Sequence, residues 1–321
     1  MLNTLDDANH VDRNLQGIVY KKAVGIYTVR ADGRTMTCTL ANRLRKQITD
    51  PTTDPVAVGD RVNFSVMDDG SSFITEILPR KNKLSRPAID GARRIHTKPP
   101  EQIIVANIDQ VVIVMPAANP APHWELLDRY LATAEAADLP AVICLTKIDL
   151  MKEDVLSKET EVYRKIGYPV ILTSAVGDLG IDQVKAALQD RISMLWGKSG
   201  VGKTTLLNAI QPGLGLRVNE VNAHNSEGRH TTSSMEMFDL AFGGSVIDTP
   251  GQRKFKLWED DIIDFAQLLP EMRPFIGQCR FGVNCSHVRE PGCAIRAAVS
   301  SEQISQRRYK SFLGMREYFS D

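Results

Sequence analysis

Gly197, Lys198, Ser199, Gly200, Val201, Gly202, Lys203 and Thr204 fit the pattern G-x-x-x-x-G-K-[ST]. That spacing suits a nucleotide phosphate chain. The glycines let backbone N–H groups turn inward around an anion without Cβ obstruction, Lys203 reaches the outer phosphates, and the Thr204 hydroxyl can ligate Mg²⁺, with Thr205 completing the nucleotide-binding stretch. Downstream, Asp248-Thr249-Pro250-Gly251 matches D-x-x-G, where the aspartate orients a Mg²⁺-bound water and the glycine N–H meets the γ-phosphate. A third cluster spaces Cys279, Cys285, His287 and Cys293 within fifteen positions. Three thiolates and one imidazole form a tetrahedral set of the kind structural zinc sites use.

Upstream of the phosphate loop lies Thr146-Lys147-Ile148-Asp149. It resembles the N-K-x-D base-recognition motif of GTPases with Thr in place of Asn. The Asp149 carboxylate only accepts hydrogen bonds, so it suits the paired N1–H and N2–H₂ donors of guanine and disfavours adenine. Ser174-Ala175, after the next strand, is similar to the S-A segment whose backbone N–H contacts guanine O6. Between the phosphate loop and D-x-x-G, Gly228-Arg229-His230-Thr231-Thr232 looks like a first switch region, with Thr231 or Thr232 a candidate Mg²⁺ ligand beside Asp248. All five GTPase elements are therefore expected, in the order base, base, phosphate loop, switch one, switch two. That order is a circular permutation, which a sheet can survive if the usual termini lie close enough to be joined.

The elements that must position these loops follow from periodicity. From residue 103, apolar strands at 111–115, 141–145, 170–173, 192–196, 235–240 and 245–247 alternate with helical patterns at 124–137, 155–166, 181–188 and 204–210. This predicts a central α/β domain with a mainly parallel sheet, spanning 103–256, whose ligands sit beyond the carboxyl ends of the strands. Before it, five short strands at 15–20, 24–30, 35–40, 61–67 and 72–78 predict an N-terminal OB-fold β-barrel over 15–80, a fold that often binds oligonucleotides. Residues 1–14 read as a disordered tail, and 81–102, rich in Lys and Arg with little periodicity, as a basic linker. The last part, 257–321, reads as a C-terminal, mainly helical zinc-binding module.

A chain of 321 residues is long enough for two or three such domains. Its zero net charge hides an uneven distribution: basic stretches, 1–100 and 272–321, flank an acidic middle. Basic ends attract a polyanion such as RNA. Arg43, Arg45 and Lys46 in the barrel and Arg307, Arg308 and Lys310 on a C-terminal helical segment are the candidate RNA contacts. No apolar run approaches the roughly 20 residues that span a bilayer, and the polar, acidic start carries no apolar signal segment. A cytoplasmic protein with no membrane partner is expected. The odd count of five cysteines fits metal ligation in a reducing compartment, with Cys38 and Cys144 as ordinary packed residues.

An OB-like barrel, a permuted GTPase and a Cys₃His module together closely resemble the RsgA (YjeQ/YloQ) family of bacterial ribosome-assembly GTPases. The likeness runs from about Leu15 to Phe312 and includes Val56-Ala57-Val58-Gly59-Asp60-Arg61-Val62 in the barrel. It implies a monomer that binds GTP or GDP with Mg²⁺, carries one structural Zn²⁺, contacts the 30S ribosomal subunit and its 16S rRNA, and hydrolyses GTP when the subunit stimulates it during late maturation. It also implies that His230 positions the attacking water. Gln252 competes for that role, because it stands directly after D-x-x-G where the family generally has an apolar residue, and because glutamine positions water in Ras-like enzymes. The third alternative is that both are structural and a ribosomal group positions the water; the candidate catalytic residues of the chain are thus His230, Gln252 and Lys203.

The permuted order has a physical consequence. Switch two leads out of the nucleotide domain into the metal module, so γ-phosphate contacts at Gly251 can bias that module and nucleotide state can control ribosome binding and release. The alternatives are a P-loop ATPase, which Asp149 disfavours, and an RNA-binding scaffold that holds nucleotide structurally, which Lys203, Thr204 and Asp248 disfavour.

Overall fold

The computed structural model describes residues 12–47, 54–87, 101–151, 153–214, 235–249 and 264–320. Two compact units divide the chain, 1–107 with 232–237 and 108–231 with 238–321.

The first unit contains strands β1 (Asp12–Ala23), β2 (Ile26–Ala31) and β3 (Arg34–Leu40), helix α1 (Asn42–Gln47), and strands β4 (Arg61–Val66), β5 (Ser72–Ile77), β6 (Lys83–Pro87) and β7 (Glu101–Ala106). β1 pairs antiparallel with both β2 and β4, β2 with β3 and β4 with β5 likewise, and β3 pairs parallel with β5. The sheet therefore closes into the five-stranded, OB-like barrel. β1 can serve two neighbours because its register shifts, between Val19 and Lys21 against β2 and between Asp12 and Leu15 against β4. Such bulges bend a strand. The bend brings Gly17 so close to β2 that a Cβ there would lie 2.6 Å from Val29 Cγ1 and 2.7 Å from the Arg30 carbonyl oxygen. Alternate residues Val19, Tyr27, Val29, Cys38, Val62, Phe64 and Ile74 fill the interior.

Three sequence expectations change here. Residues 12–14 belong to β1, with Asp12 opposite Val66, rather than to a tail. The stretch read as a basic linker carries β6 at one end, paired antiparallel with β7, so Leu84 faces Val105 and Arg86 faces Gln102. Arg80 grips the buried Asp60 with two hydrogen bonds of 2.7 Å, and the side chain of Asn107 ties the Lys81 N–H to the Gly59 carbonyl. The Arg80 charge is committed locally, which charge counting along the chain does not reveal. Finally, the Arg43 region is the helix α1 between β3 and β4, with Leu44 turned toward the barrel core and Arg43, Arg45 and Lys46 exposed.

The second unit is built on β8 (Gln110–Pro116), α2 (Trp124–Ala136), β9 (Ala141–Thr146), α3 (Glu153–Ile166), β10 (Val170–Leu172), α4 (Ile181–Leu188), β11 (Ile192–Trp196) and α5 (Lys203–Ile210). β12 (Glu236–Asp239) leads through a turn to β13 (Ser245–Asp248). Five strands run parallel in the order β10, β9, β8, β11, β13. All residues of β8 and β9 are buried, which accounts for their unbroken apolar runs. The register sets Pro116 opposite Thr146, Trp196 opposite Ile113, and Asp248 opposite Leu195. All five strands therefore end at one edge. Short 3₁₀ turns at Phe265–Leu268, Arg273–Phe275 and Gly282–Asn284 precede α6 (Ala294–Ser300) and α7 (Gln306–Ser320). Leu269, Met272, Ile295, Phe312 and Met315 form their core around the cysteines. Among the described residues no helix is long and apolar enough to cross a membrane.

Candidate functional site

The loops at the carboxyl edge of the parallel sheet carry every described nucleotide-binding candidate. β11 delivers Gly197, where a Cβ would sit 2.4 Å from the Val114 carbonyl oxygen of β8, so only glycine lets the phosphate loop leave the sheet along this path. Lys198, Ser199, Gly200, Val201 and Gly202 follow, and α5 starts at Lys203. Trp196, the last residue of β11, stacks on Tyr130 of α2 at 4.3 Å between ring centroids and so fixes the root of the loop.

Lys203 is buried and folds back on its own loop, donating from Nζ to the Gly197 carbonyl at 2.6 Å and to the Lys198 carbonyl at 3.0 Å. Burial lowers its pKa, and the Asp248 charge opposes that shift. Burial raises the Asp248 pKa, with Lys203 opposing in turn. Asp248 Oδ1 is buried and has no hydrogen-bond partner among the described residues. An anionic oxygen in that condition is costly unless a cation or an ordered donor completes it. With the Thr204 hydroxyl at the second position of α5, it fits Mg²⁺, a hard cation that takes oxygen ligands and keeps several waters. Thr205 is exposed. Thr249 is buried and donates to the Leu195 carbonyl at 2.6 Å, which pins the chain just past Asp248 to the strand before the phosphate loop.

The base-recognition loop follows β9. Thr146 Oγ1 donates to the Val201 carbonyl at 2.6 Å. Lys147 adopts a left-handed backbone with φ 60° and sends Nζ to the Asn119 carbonyl at 2.5 Å and the Gly200 carbonyl at 3.2 Å. Asp149 is exposed, and Ser174 donates from Oγ to its Oδ1 at 2.5 Å, orienting the carboxylate. Ser174 is itself fixed by paired backbone hydrogen bonds with Leu179, both 3.0 Å, and places Ala175 at the turn. The sequence gives no hint of the Asn119 carbonyl, in the loop between β8 and α2. A backbone oxygen leaves no signature in residue type.

Gly228 to Thr232, with His230, Thr231 and Thr232, lie outside the described residues, as do Gly251 and Gln252.

The cysteine cluster forms a second site. The ligand atoms of Cys279, Cys285, His287 and Cys293 all lie within 4.8 Å of one another, and all four residues are buried. His287 Nδ1 is 3.5 Å from both Cys279 Sγ and Cys293 Sγ, and those sulfurs are 3.8 Å apart. Burial pushes the Cys285 thiol up to about 12 and raises the Cys293 thiol as well. Metal ligation would displace those protons, since the thiolate is the ligand. Backbone N–H groups of Ala294 and Arg296 point at Cys279 Sγ and Cys293 Sγ, at 3.3 and 3.5 Å. His287 Nε2 meets Asp264 Oδ2 at 3.1 Å, an outer carboxylate of the kind that orients a metal-bound imidazole. The donor set fits zinc. Asp264 has no sequence signal of its own, since it is 23 residues from its partner.

The RNA candidates separate. Arg43, Arg45, Lys46 and Lys310 are exposed. Arg308 is 1 % exposed and spends its guanidinium on Asp128 and Glu271, so it is removed from the RNA-facing set. Arg307, half-buried, pairs with Asp128 and Glu159.

Known proteins share this organisation. The family model described as RsgA GTPase matches residues 77–258, and that of the RsgA N-terminal domain matches residues 16–74. The chain is 40 % identical over 299 residues to the small ribosomal subunit biogenesis GTPase RsgA of Moorella thermoacetica, covering 93 % of this chain and 95 % of that protein. It is 37 % identical over 308 residues to the protein of that name from Bacteroides fragilis, covering 94 % and 96 %. Among solved structures, YjeQ from Thermotoga maritima is similar at a TM-score of 0.74 and 32 % identity, over 96 % of this chain and 99 % of that one. YloQ, described as a circularly permuted GTPase, is similar at a TM-score of 0.70 and 30 % identity, over 97 % of each chain.

Proposed function

The chain belongs to the RsgA family of GTPases, and from that premise we propose that it binds the 30S ribosomal subunit and hydrolyses GTP during late maturation of that particle. The observation that carries the nucleotide half of this reading is the convergence of Asp149, Ser174, Lys203 and Asp248 at one sheet edge. A base-reading carboxylate and a buried lysine–aspartate pair on the same edge suit a guanine nucleotide with its Mg²⁺. The cation would neutralise phosphate charge as it develops, held by Thr204 and Asp248 with Thr231 or Thr232. Lys203, whose Nζ holds two loop carbonyls, is assigned to the outer phosphates.

The attacking water is assigned to His230, with Gln252 as the competitor. Single-turnover hydrolysis with 30S subunits should slow at least tenfold in His230→Ala while GTP affinity stays nearly unchanged. Loss confined to Gln252→Ala would reverse the assignment.

Ribosome contact is assigned to 16S rRNA through the exposed cations of α1 and Lys310, for a monomer working in the cytoplasm with one structural Zn²⁺. Nucleotide state sets affinity, because the chain after Asp248 continues into the metal module. Phosphate release from GTP and from ATP, each with and without purified 30S subunits, tests the whole reading. Release should occur with GTP alone and rise with subunits. Hydrolysis of ATP at the same rate would sink it. A non-hydrolysable GTP analogue should co-sediment with 30S more strongly than GDP does, and equal co-sedimentation would remove the switching claim.

A further inference from the structure

Thr146 stands where the base-recognition motif otherwise carries asparagine, and the difference is one hydrogen-bond donor. A hydroxyl has a single proton, whereas a side-chain amide has two N–H groups. That proton goes to the phosphate loop: Oγ1 lies 2.6 Å from the Val201 carbonyl oxygen, and the Thr146 side chain is buried. The other oxygen within reach, the Met115 carbonyl at 3.5 Å, is also an acceptor. Gly202 lies against the same side chain, so that a Cβ added there would be 3.4 Å from Oγ1 and 3.6 Å from the threonine Cβ. Lys147 repeats the grip one residue on, with Nζ on the Gly200 carbonyl. Two consecutive residues of the base loop thus hold two consecutive carbonyls of the phosphate loop.

We infer that Thr146 positions the phosphate loop and leaves the purine N7 unread, so that guanine is recognised at its N1, N2 and O6 edge alone. The inference rests on the guanine-nucleotide reading above. An asparagine could hold the Val201 carbonyl and still offer an N–H outward, and Thr146 has none to offer. N7 is an acceptor common to guanine and adenine, so leaving it unread lowers affinity without altering the choice between the two bases. That choice remains with Asp149, whose carboxylate meets donors only guanine presents. The residue change therefore tunes how tightly nucleotide is held, and leaves selectivity untouched.

The test uses 7-deaza-GTP, in which a C–H replaces N7, in competition against a fluorescent GDP on the full-length protein with Mg²⁺. Wild-type protein should bind GTP and 7-deaza-GTP within about threefold of each other, a difference of well under 1.4 kcal/mol. A larger preference for GTP overturns the inference. Thr146→Val, which keeps the shape and removes the hydroxyl, should weaken both nucleotides equally, by about tenfold, the factor that roughly 1.4 kcal/mol represents. Unchanged affinity in Thr146→Val, or a loss confined to GTP, would overturn the positioning role. Failure of the wild-type protein to bind GTP at all is a separate outcome and would overturn the guanine reading together with the inference.

Discussion

Arg308 donates from Nη1 to Asp128 Oδ1 at 2.7 Å, with side-chain exposures of 1 % and 0 %. The pair joins helices α7 and α2 across 180 positions of sequence. It is also a hub. Tyr163 of α3 donates to the same Oδ1 at 2.7 Å, Arg307 reaches Oδ2 at 3.1 Å, and Glu271 takes Arg308 Nε and Nη2 at 2.6 and 3.1 Å. Arg307 lies over the rings of Trp124 and Tyr163 at 5.4 and 5.2 Å. Because α2 also stacks on Trp196 through Tyr130, it lies between the root of the phosphate loop and the helix that closes the metal module.

Breaking this hub should destabilise the second unit strongly. Removing one partner of a buried pair strands the other charge, at a typical cost of about 3–5 kcal/mol. Asp128→Ala and Arg308→Ala should both lower the urea midpoint of the GTPase and metal-binding unit. Arg307→Ala should cost less, because Asp128 stays paired with Arg308 and Tyr163 when it is removed, and Arg307 is 23 % exposed where Arg308 is 1 %. An Arg308→Ala variant as stable as wild type would refute the assignment of its role as structural.

The cations of α1 should behave in the opposite way. Arg43, Arg45 and Lys46 are exposed on a short helix, so replacing them leaves the barrel core intact. Every phosphate that the variant no longer neutralises should reduce the slope of log affinity against log salt by about 0.7 for single strands and about 0.9 for duplex. Binding of the triple alanine variant to 16S rRNA fragments across a salt series measures this. An unchanged slope with unchanged affinity would remove α1 from the RNA surface.

Base selectivity should invert at Asp149. In Asp149→Asn a side-chain N–H replaces an acceptor, so guanine loses its match and xanthine, with a carbonyl at C2, gains one. GTP affinity should fall by about 100-fold or more, and the affinity for XTP should rise above that of wild type. Ser174, which donates to Asp149 Oδ1, can donate to the amide oxygen in its place, so the new N–H takes the other position, toward the base. Equal losses for both nucleotides in a displacement titration would mean that the residue at 149 does not face the base.

How much of this is legible in the sequence varies with the range of the physics involved. Gly197 to Thr204, the Cys₃His spacing and the strands expected at 141–145 and 192–196 are local patterns; the structure has strands at Ala141–Thr146 and Ile192–Trp196 and brings the four metal-ligand candidates together. The barrel too is readable, since alternation marks β2 to β5. Long-range pairing is not. The burial of Arg308 depends on Asp128 and Glu271, which no local window contains, so two arginines on a basic terminus look like a nucleic-acid surface. Likewise the pairing of Lys83–Pro87 with Glu101–Ala106 joins two short segments that show little alternation alone. Threonine in place of asparagine at 146 is visible in the sequence, but its meaning is not, because only the fold shows which carbonyl takes the hydroxyl proton.

The metal centre gives the last prediction. Four buried donors within 4.8 Å form the middle of a core that includes Leu269, Ile295 and Phe312, so metal binding and folding of that module should be one event. Metal analysis of the purified protein should give one zinc per chain. Stripping it with a strong chelator should expose the stretch around 264–320 to protease while the barrel stays resistant. Asp264→Asn should leave the ligands in place but weaken metal affinity by about 10- to 100-fold, since it alters the outer partner that orients the His287 ring. Competition with a chromogenic chelator reads that shift directly. Cys285→Ser should be more severe, because a buried hydroxyl neither ionises as a thiolate does nor fills the same volume. Equal zinc content in wild type and Cys285→Ser, with the same protease pattern, would exclude Cys285 from the ligand set.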